Sequence, residues 1–180
     1  MRHFGLLIAR VIFGSYLAVH GAQKLFGAFK GPGLEAAGAG FHSIGLRPGK
    51  PFAALAGASE LGGGVLTATG IAAPLGPLIL AGTMAVASTT HRKQGPLAQD
   101  GGFELPLTNM AMALALMSSG TGALRLGPHL SKKWTALAFV GGAALAAGTV
   151  AYMLKNSSPT PVEEFVSDID EASVVPAATE

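Results

Sequence analysis

The chain has 180 residues, 49% of them hydrophobic and only 12% charged, with a mean hydropathy of +0.47. An ordinary soluble domain carries about 25% charged residues. This composition therefore argues against a disordered protein, a water-soluble enzyme domain and a nucleic-acid binder, and for a polytopic membrane protein. The formal net charge of +2 hides a split: residues 1–155 hold all twelve Lys and Arg with four acids (Glu35, Glu60, Asp100, Glu104), a net +8, whereas residues 156–180 hold six acids and no base. There is no cysteine. That excludes a disulfide framework, an iron–sulfur cluster, a thiolate zinc site and a catalytic thiol belonging to this chain.

The first apolar run, Phe4 to Phe26, predicts a membrane span interrupted by Arg10. It is too long for the core of a signal peptide and ends in Lys24-Leu-Phe rather than a small-residue cleavage site, so it reads as a retained span. Residues 27–50 form a long connection in which Leu34, Ala37, Phe41 and Ile44 recur at helical spacing, predicting a short interfacial helix. From Pro51 to Thr90 only Glu60 is charged. That stretch suits two spans, about 52–71 and 75–91, broken at Gly70-Ile-Ala-Ala-Pro-Leu-Gly-Pro77. A turn-rich loop over 92–103 leads into a fourth span from Glu104 to about Ser119. Residues 123–133 connect it to a fifth, Trp134 to Leu154. Pro51, Pro74, Pro77 and Pro106 suit first helical turns, and Glu104 suits the positive end of a helix dipole. Residues 156–180, acidic and poor in apolar side chains, read as a disordered tail.

The expected fold is thus all-α, a polytopic transmembrane helical bundle with a membrane domain over 1–127, an additional transmembrane helix within 128–155 and a tail over 156–180. Five spans place the termini on opposite sides of the membrane. The side holding the 27–50 and 92–103 loops and the C-terminus carries Lys24, Lys30, Arg47, Lys50, Arg92, Lys93 and Lys155, against Arg2, Arg125, Lys132 and Lys133 on the other. This bias predicts a cytoplasmic C-terminus.

Charge within a bilayer costs roughly 2.5–3.5 kcal/mol per residue on insertion scales and marks function by default. Glu60 lies eight residues into its span, about 12 Å deep at the helical rise, too far to reach water by extending. It must be protonated, paired or exposed to a polar cavity. In the first span His20 and Lys24 are i, i+4 neighbours. His20, Gln23, Lys24, Glu60, His91, Glu104 and Asn109 all fall in one half of the membrane, which predicts a single polar pocket between helices. Arg10 either extends to the N-terminal side or is a second ion-pair partner for Glu60. Bland readings stand beside these: Lys24 and His91 as interfacial ends, Asn109 as an interhelical hydrogen bond, and Glu60 as a purely structural pair. No metal-ligand spacing, phosphate loop or Ser/His/Asp signature is present, so no metal is expected.

The segment His20-Gly-Ala-Gln-Lys-Leu-Phe-Gly27 resembles the HGxxKLFG motif of the DoxX family. Ala56-Gly-Ala-Ser-Glu-Leu-Gly-Gly63 and Gly101-Gly-Phe-Glu-Leu-Pro106 also follow that family's pattern, and the resemblance covers about residues 4–127. It implies a small bacterial integral membrane protein with a four-helix core, to which this chain adds a fifth span and a tail. It implies a setting as well: relatives are linked to a terminal quinol oxidase, to thiosulfate:quinone oxidoreduction and to oxidative-stress or thiol-redox systems. Carried onto this chain, the motifs point to His20, Lys24, Glu60 and Glu104. The segment Gly120-Thr-Gly-Ala-Leu-Arg-Leu126 follows the family's ending of the fourth helix only loosely.

The functional expectation is an accessory membrane subunit of a redox system rather than an autonomous enzyme. Its pocket would hold a small polar species, protons or a quinone headgroup. No other cofactor is indicated, and the partners expected are the lipid bilayer and either a redox protein or a second copy of the chain. Two other classes stay open: a small proton-coupled transporter or channel, for which no internal repeat is evident, and a non-catalytic scaffold whose tail recruits a soluble partner.

Overall fold

A computed structural model describes residues 2–156, so the acidic stretch from residue 157 onward lies outside the described residues. Within them the chain is all-helical, with six α-helices. These are α1 (Arg2–Phe26), α2 (Gly33–Ser43), α3 (Gly49–Thr69), α4 (Leu75–Thr90), α5 (Glu104–Ser119) and α6 (Lys132–Asn156). Single 3-10 turns occupy 28–30, 92–94 and 98–100. The amphipathic pattern at Leu34, Ala37, Phe41 and Ile44 yields α2. The proline-marked starts also hold: Pro48, with extended backbone (φ −70°, ψ 139°), precedes α3 and leaves Pro51 in its first turn, and Pro74 precedes α4.

The five long helices stand where five spans are expected, but they are unequal. His3–Phe26 and Lys132–Asn156 are each long and apolar enough to cross a bilayer. Helices α4 and α5 have 16 residues each. That is about 24 Å at the helical rise, short of a ~30 Å hydrocarbon layer. Helix α3 has 21 residues, but its five glycines, Lys50 and Glu60 dilute its apolar character.

Small residues bring α1 and α3 together in antiparallel contact. A Cβ on Gly14 would lie 2.5 Å from the Gly64 carbonyl oxygen, and one on Gly64 would lie 2.5 Å from that of Gly14. One on Gly21 would strike the backbone of Gly57 and Leu61. Only hydrogen side chains allow this approach, the usual device where lipid supplies no hydrophobic drive between helices. The seam sets the register: Lys24 comes beside Glu60 at one end, and Arg10 beside Gly70 at the other.

The remaining packing follows from larger side chains. Phe13 and Leu17 of α1 meet Leu80, Ala81 and Met84 of α4 and Ala113 and Leu116 of α5 in one buried cluster. Helix α2 lies along α3, where Gly38 touches Lys50. Helix α6 packs against α4, and only Met153 of it is fully buried. Near its end the Tyr152 hydroxyl donates to the Arg47 carbonyl at 2.5 Å, and the ring stacks on Phe52 with centroids 5.5 Å apart. Helix α6 therefore finishes where α3 begins. At the opposite end, the segment after α5 joins the α3–α4 turn: Leu126 N–H donates to Thr69 carbonyl, Ala72 N–H to Pro128 carbonyl, and Leu130 N–H to Ala73 carbonyl, at 2.8–3.0 Å. Large apolar side chains such as Phe4, Ile8, Ile12, Leu107, Leu137 and Val140 remain exposed around the outside, a surface suited to lipid rather than water.

Candidate functional site

The glycine seam delivers the central contact. Lys24 Nζ lies 2.5 Å from Glu60 Oε2, with the Glu60 side chain 7% exposed and that of Lys24 24%. Gly21 and Gly57, one turn away on each helix, hold the backbones close enough for the two side chains to meet without reaching. A carboxylate this buried requires a cation and a hydrogen bond, and Lys24 supplies both. His20 sits one turn before Lys24, half-buried, its ring edge-on to Tyr16 with centroids 4.6 Å apart.

The pair forms part of the wall of a cavity of about 480 Å³. Its lining is mostly apolar: Leu17, Phe41, Leu46, Phe52, Leu55 and Leu78 are among its side chains. The polar groups are few. His20, Lys24, Ser59 and Glu60 stand on α1 and α3, with Thr83, Thr90, His91 and Asn109 from α4, its C-terminal boundary and α5. The threonines are already engaged, Thr83 donating to the Ile79 carbonyl and Thr90 to that of Ala87. The His91 Nδ1–H donates to the Gly101 carbonyl at 2.7 Å, tying the 92–103 loop to the end of α4.

Among the seven residues expected to share one pocket, His20, Lys24, Glu60, His91 and Asn109 line this cavity. Gln23 does not; it packs beneath the turn at Gly31, whose Cα hydrogen faces the Gln23 Cβ and Cγ. Glu104 is exposed and turned to the loop, where its Oε2 accepts the Ala98 N–H at 2.9 Å. It orders the start of α5 instead of entering the cavity. Arg10 is not beside Glu60. It precedes Lys24 by 14 residues, about 21 Å along a helix, and donates through Nη2 to the Leu124 carbonyl at the far end. The apolar lining residues from α2 and the α6 wall (Ala138, Gly142, Leu145 and Ala146) were outside the polar pattern that the sequence offers, and the nearby Thr149 hydroxyl donates to the Leu145 carbonyl. Among the described residues there is no cluster of three His, Cys, Asp or Glu able to hold a metal ion.

The arrangement can present an ammonium hydrogen-bond donor, a carboxylate acceptor and an imidazole to the polar head of a molecule whose body lies against Leu and Phe side chains. Residues 5–92 match the DoxX family model. No curated protein and no solved structure matches the chain. The family match takes in α1 to α4, with His20, Lys24, Glu60 and His91, and ends before Glu104 and Asn109.

Proposed function

The chain belongs to the DoxX family through residues 5–92 and is a membrane protein; on that premise we propose that it is an accessory subunit of a quinone-linked or oxidative-stress redox system in the bacterial cell membrane. In this reading α1, α3, α4 and α5 form a four-helix membrane core. Helix α6 adds a fifth pass, and the C-terminus is cytoplasmic, as the distribution of Lys and Arg supports. The 16-residue helices α4 and α5 are accommodated by local thinning of the bilayer around them, at a modest cost.

One observation carries the functional reading: the Lys24–Glu60 pair in the wall of an otherwise apolar cavity. Ligand pockets of this kind commonly measure about 300–1,000 Å³, with a few placed polar groups setting orientation. A quinone fits that chemistry. Its ring and first isoprene unit would lie against apolar side chains, Lys24 would donate to a carbonyl oxygen, and Glu60 with His20 would take or supply the proton that accompanies reduction. The quinone supplies the redox chemistry, and electron transfer belongs to a partner protein. Short-tail ubiquinone binding to the purified protein in detergent tests this. Glu60→Gln keeps the shape and removes the charge, and it should weaken binding about tenfold, the loss of one charge-assisted hydrogen bond. It should also fail to complement a null strain. Equal binding and full complementation would refute a ligand role for the pair.

A further inference from the structure

The second buried charge has no counterpart. Arg10 is 1% exposed, and its Nε and Nη1 find no hydrogen-bond acceptor among the described residues. Nη2 donates to the Leu124 carbonyl. Nη1 lies against Gly70, where any Cβ would occupy its place. A guanidinium cannot shed its proton at ordinary pH, so burial leaves it needing an acceptor.

Acidic side chains do not provide one. The four acids among the described residues lie near the other end: Glu60 pairs with Lys24, Glu35 pairs with Lys50, Glu104 accepts the Ala98 N–H, and Asp100 is exposed in the 98–100 turn. Arg10 instead forms part of a cavity of about 260 Å³ that no carboxylate lines. Its other polar lining residues are Thr67, Ser118, Ser119, Thr121 and His129. Pro74 and Pro77, at the start of α4, also line it, so the positive end of that helix dipole points here. The end of α5 contributes the opposite partial charge, but a full guanidinium charge outweighs either dipole.

The geometry points to an oxyanion site: Arg10, assisted by the Ser119 hydroxyl and by His129, binds a phosphate-type group in the cavity between the α3–α4 turn and the end of α5. The group is either free phosphate or the phosphate of a lipid headgroup. This site is separate from the Lys24–Glu60 cavity, and the test below does not depend on quinone binding.

The full-length protein, purified in a maltoside detergent and phosphate-free buffer, is titrated in parallel with inorganic phosphate, with phosphatidylglycerol and with diacylglycerol, and thermal stability is read. The wild type should be stabilised by phosphate or by phosphatidylglycerol and not by diacylglycerol. A response to inorganic phosphate identifies a soluble oxyanion; a response to phosphatidylglycerol alone identifies a lipid headgroup. Arg10→Gln should abolish the response or raise the half-saturating concentration about tenfold or more, and Arg10→Lys should retain part of it. A wild type that responds to neither phosphate source overturns the proposal and leaves water as the partner of Nε and Nη1. A response unchanged in Arg10→Gln overturns it too. Where Arg10→Gln fails to fold, Arg10→Lys carries the comparison: a response identical to that of the wild type overturns the proposal, and a weakened one supports it.

Discussion

The two ends of α1 solve the same electrostatic problem in different ways. At one end Lys24 meets Glu60, and the charge is neutralised within the chain. At the other, Arg10 is more deeply buried than Lys24 and meets only backbone oxygen. The same glycine seam builds both ends, so the contrast is not one of packing quality. It lies in where the chain spends its few acids. A buried pair is self-contained, and loss of either partner leaves a stranded charge. A buried lone cation depends on what occupies the space beside it.

The largest expected effect breaks the self-contained end. Lys24→Met leaves the Glu60 carboxylate buried without its cation, and thermal or denaturant unfolding in detergent should show a loss of about 3 kcal/mol. The double change Lys24→Met with Glu60→Leu should recover most of that, because two apolar side chains replace a pair instead of orphaning half of it. Next comes the shared seam. Gly21→Ala forces α1 away from the backbone of Leu61 and Gly57 and should cost about 2 kcal/mol. Unlike the charge variants, it should also impair ligand responses at both ends, which separates register from electrostatics.

Arg10→Met sharpens the contrast further. In phosphate-free detergent it should change stability by no more than about 1 kcal/mol, because an unpaired buried cation contributes little to the fold. The opposite result, a loss as large as that of Lys24→Met, would mean that Arg10 is paired within the chain. The smallest effect is expected where the charges are wet. Lys50 and Glu35 form an ion pair in which both side chains are exposed, 55% and 81%. Glu35→Gln should alter the melting free energy by less than about 0.5 kcal/mol.

The helices were legible because apolar runs, prolines and glycines mark their limits so strongly. Glu104 begins α5, Pro74 precedes α4, and the spacing of Leu34, Ala37, Phe41 and Ile44 announces α2. The partnership of Lys24 with Glu60 was within reach too, since charges in apolar runs are rare and must find one another. Distance along a helix then decides between Arg10 and Lys24 once the register is known, but register depends on which glycines face each other, and α3 has five. Depth alone misplaced Glu104 and Gln23. Depth says how far a residue lies along a helix, whereas the cavity selects by direction, and Glu104 is turned to its own loop. The apolar walls from α2 and α6 had no sequence signature, because Leu and Phe facing a ligand look the same as Leu and Phe facing lipid.

The five-pass reading puts the two ends of α1 in opposite halves of one bilayer. The chain has no native cysteine, so single cysteines report without background. Arg2→Cys and Asn156→Cys, exposed separately to a membrane-impermeant maleimide in intact cells, test that arrangement directly. Five passes with a cytoplasmic C-terminus predict labelling at residue 2 and none at residue 156 until the membrane is opened. Labelling at residue 156 alone would keep five passes and reverse the orientation. Labelling of both positions, or of neither in intact cells, would contradict the five-pass arrangement.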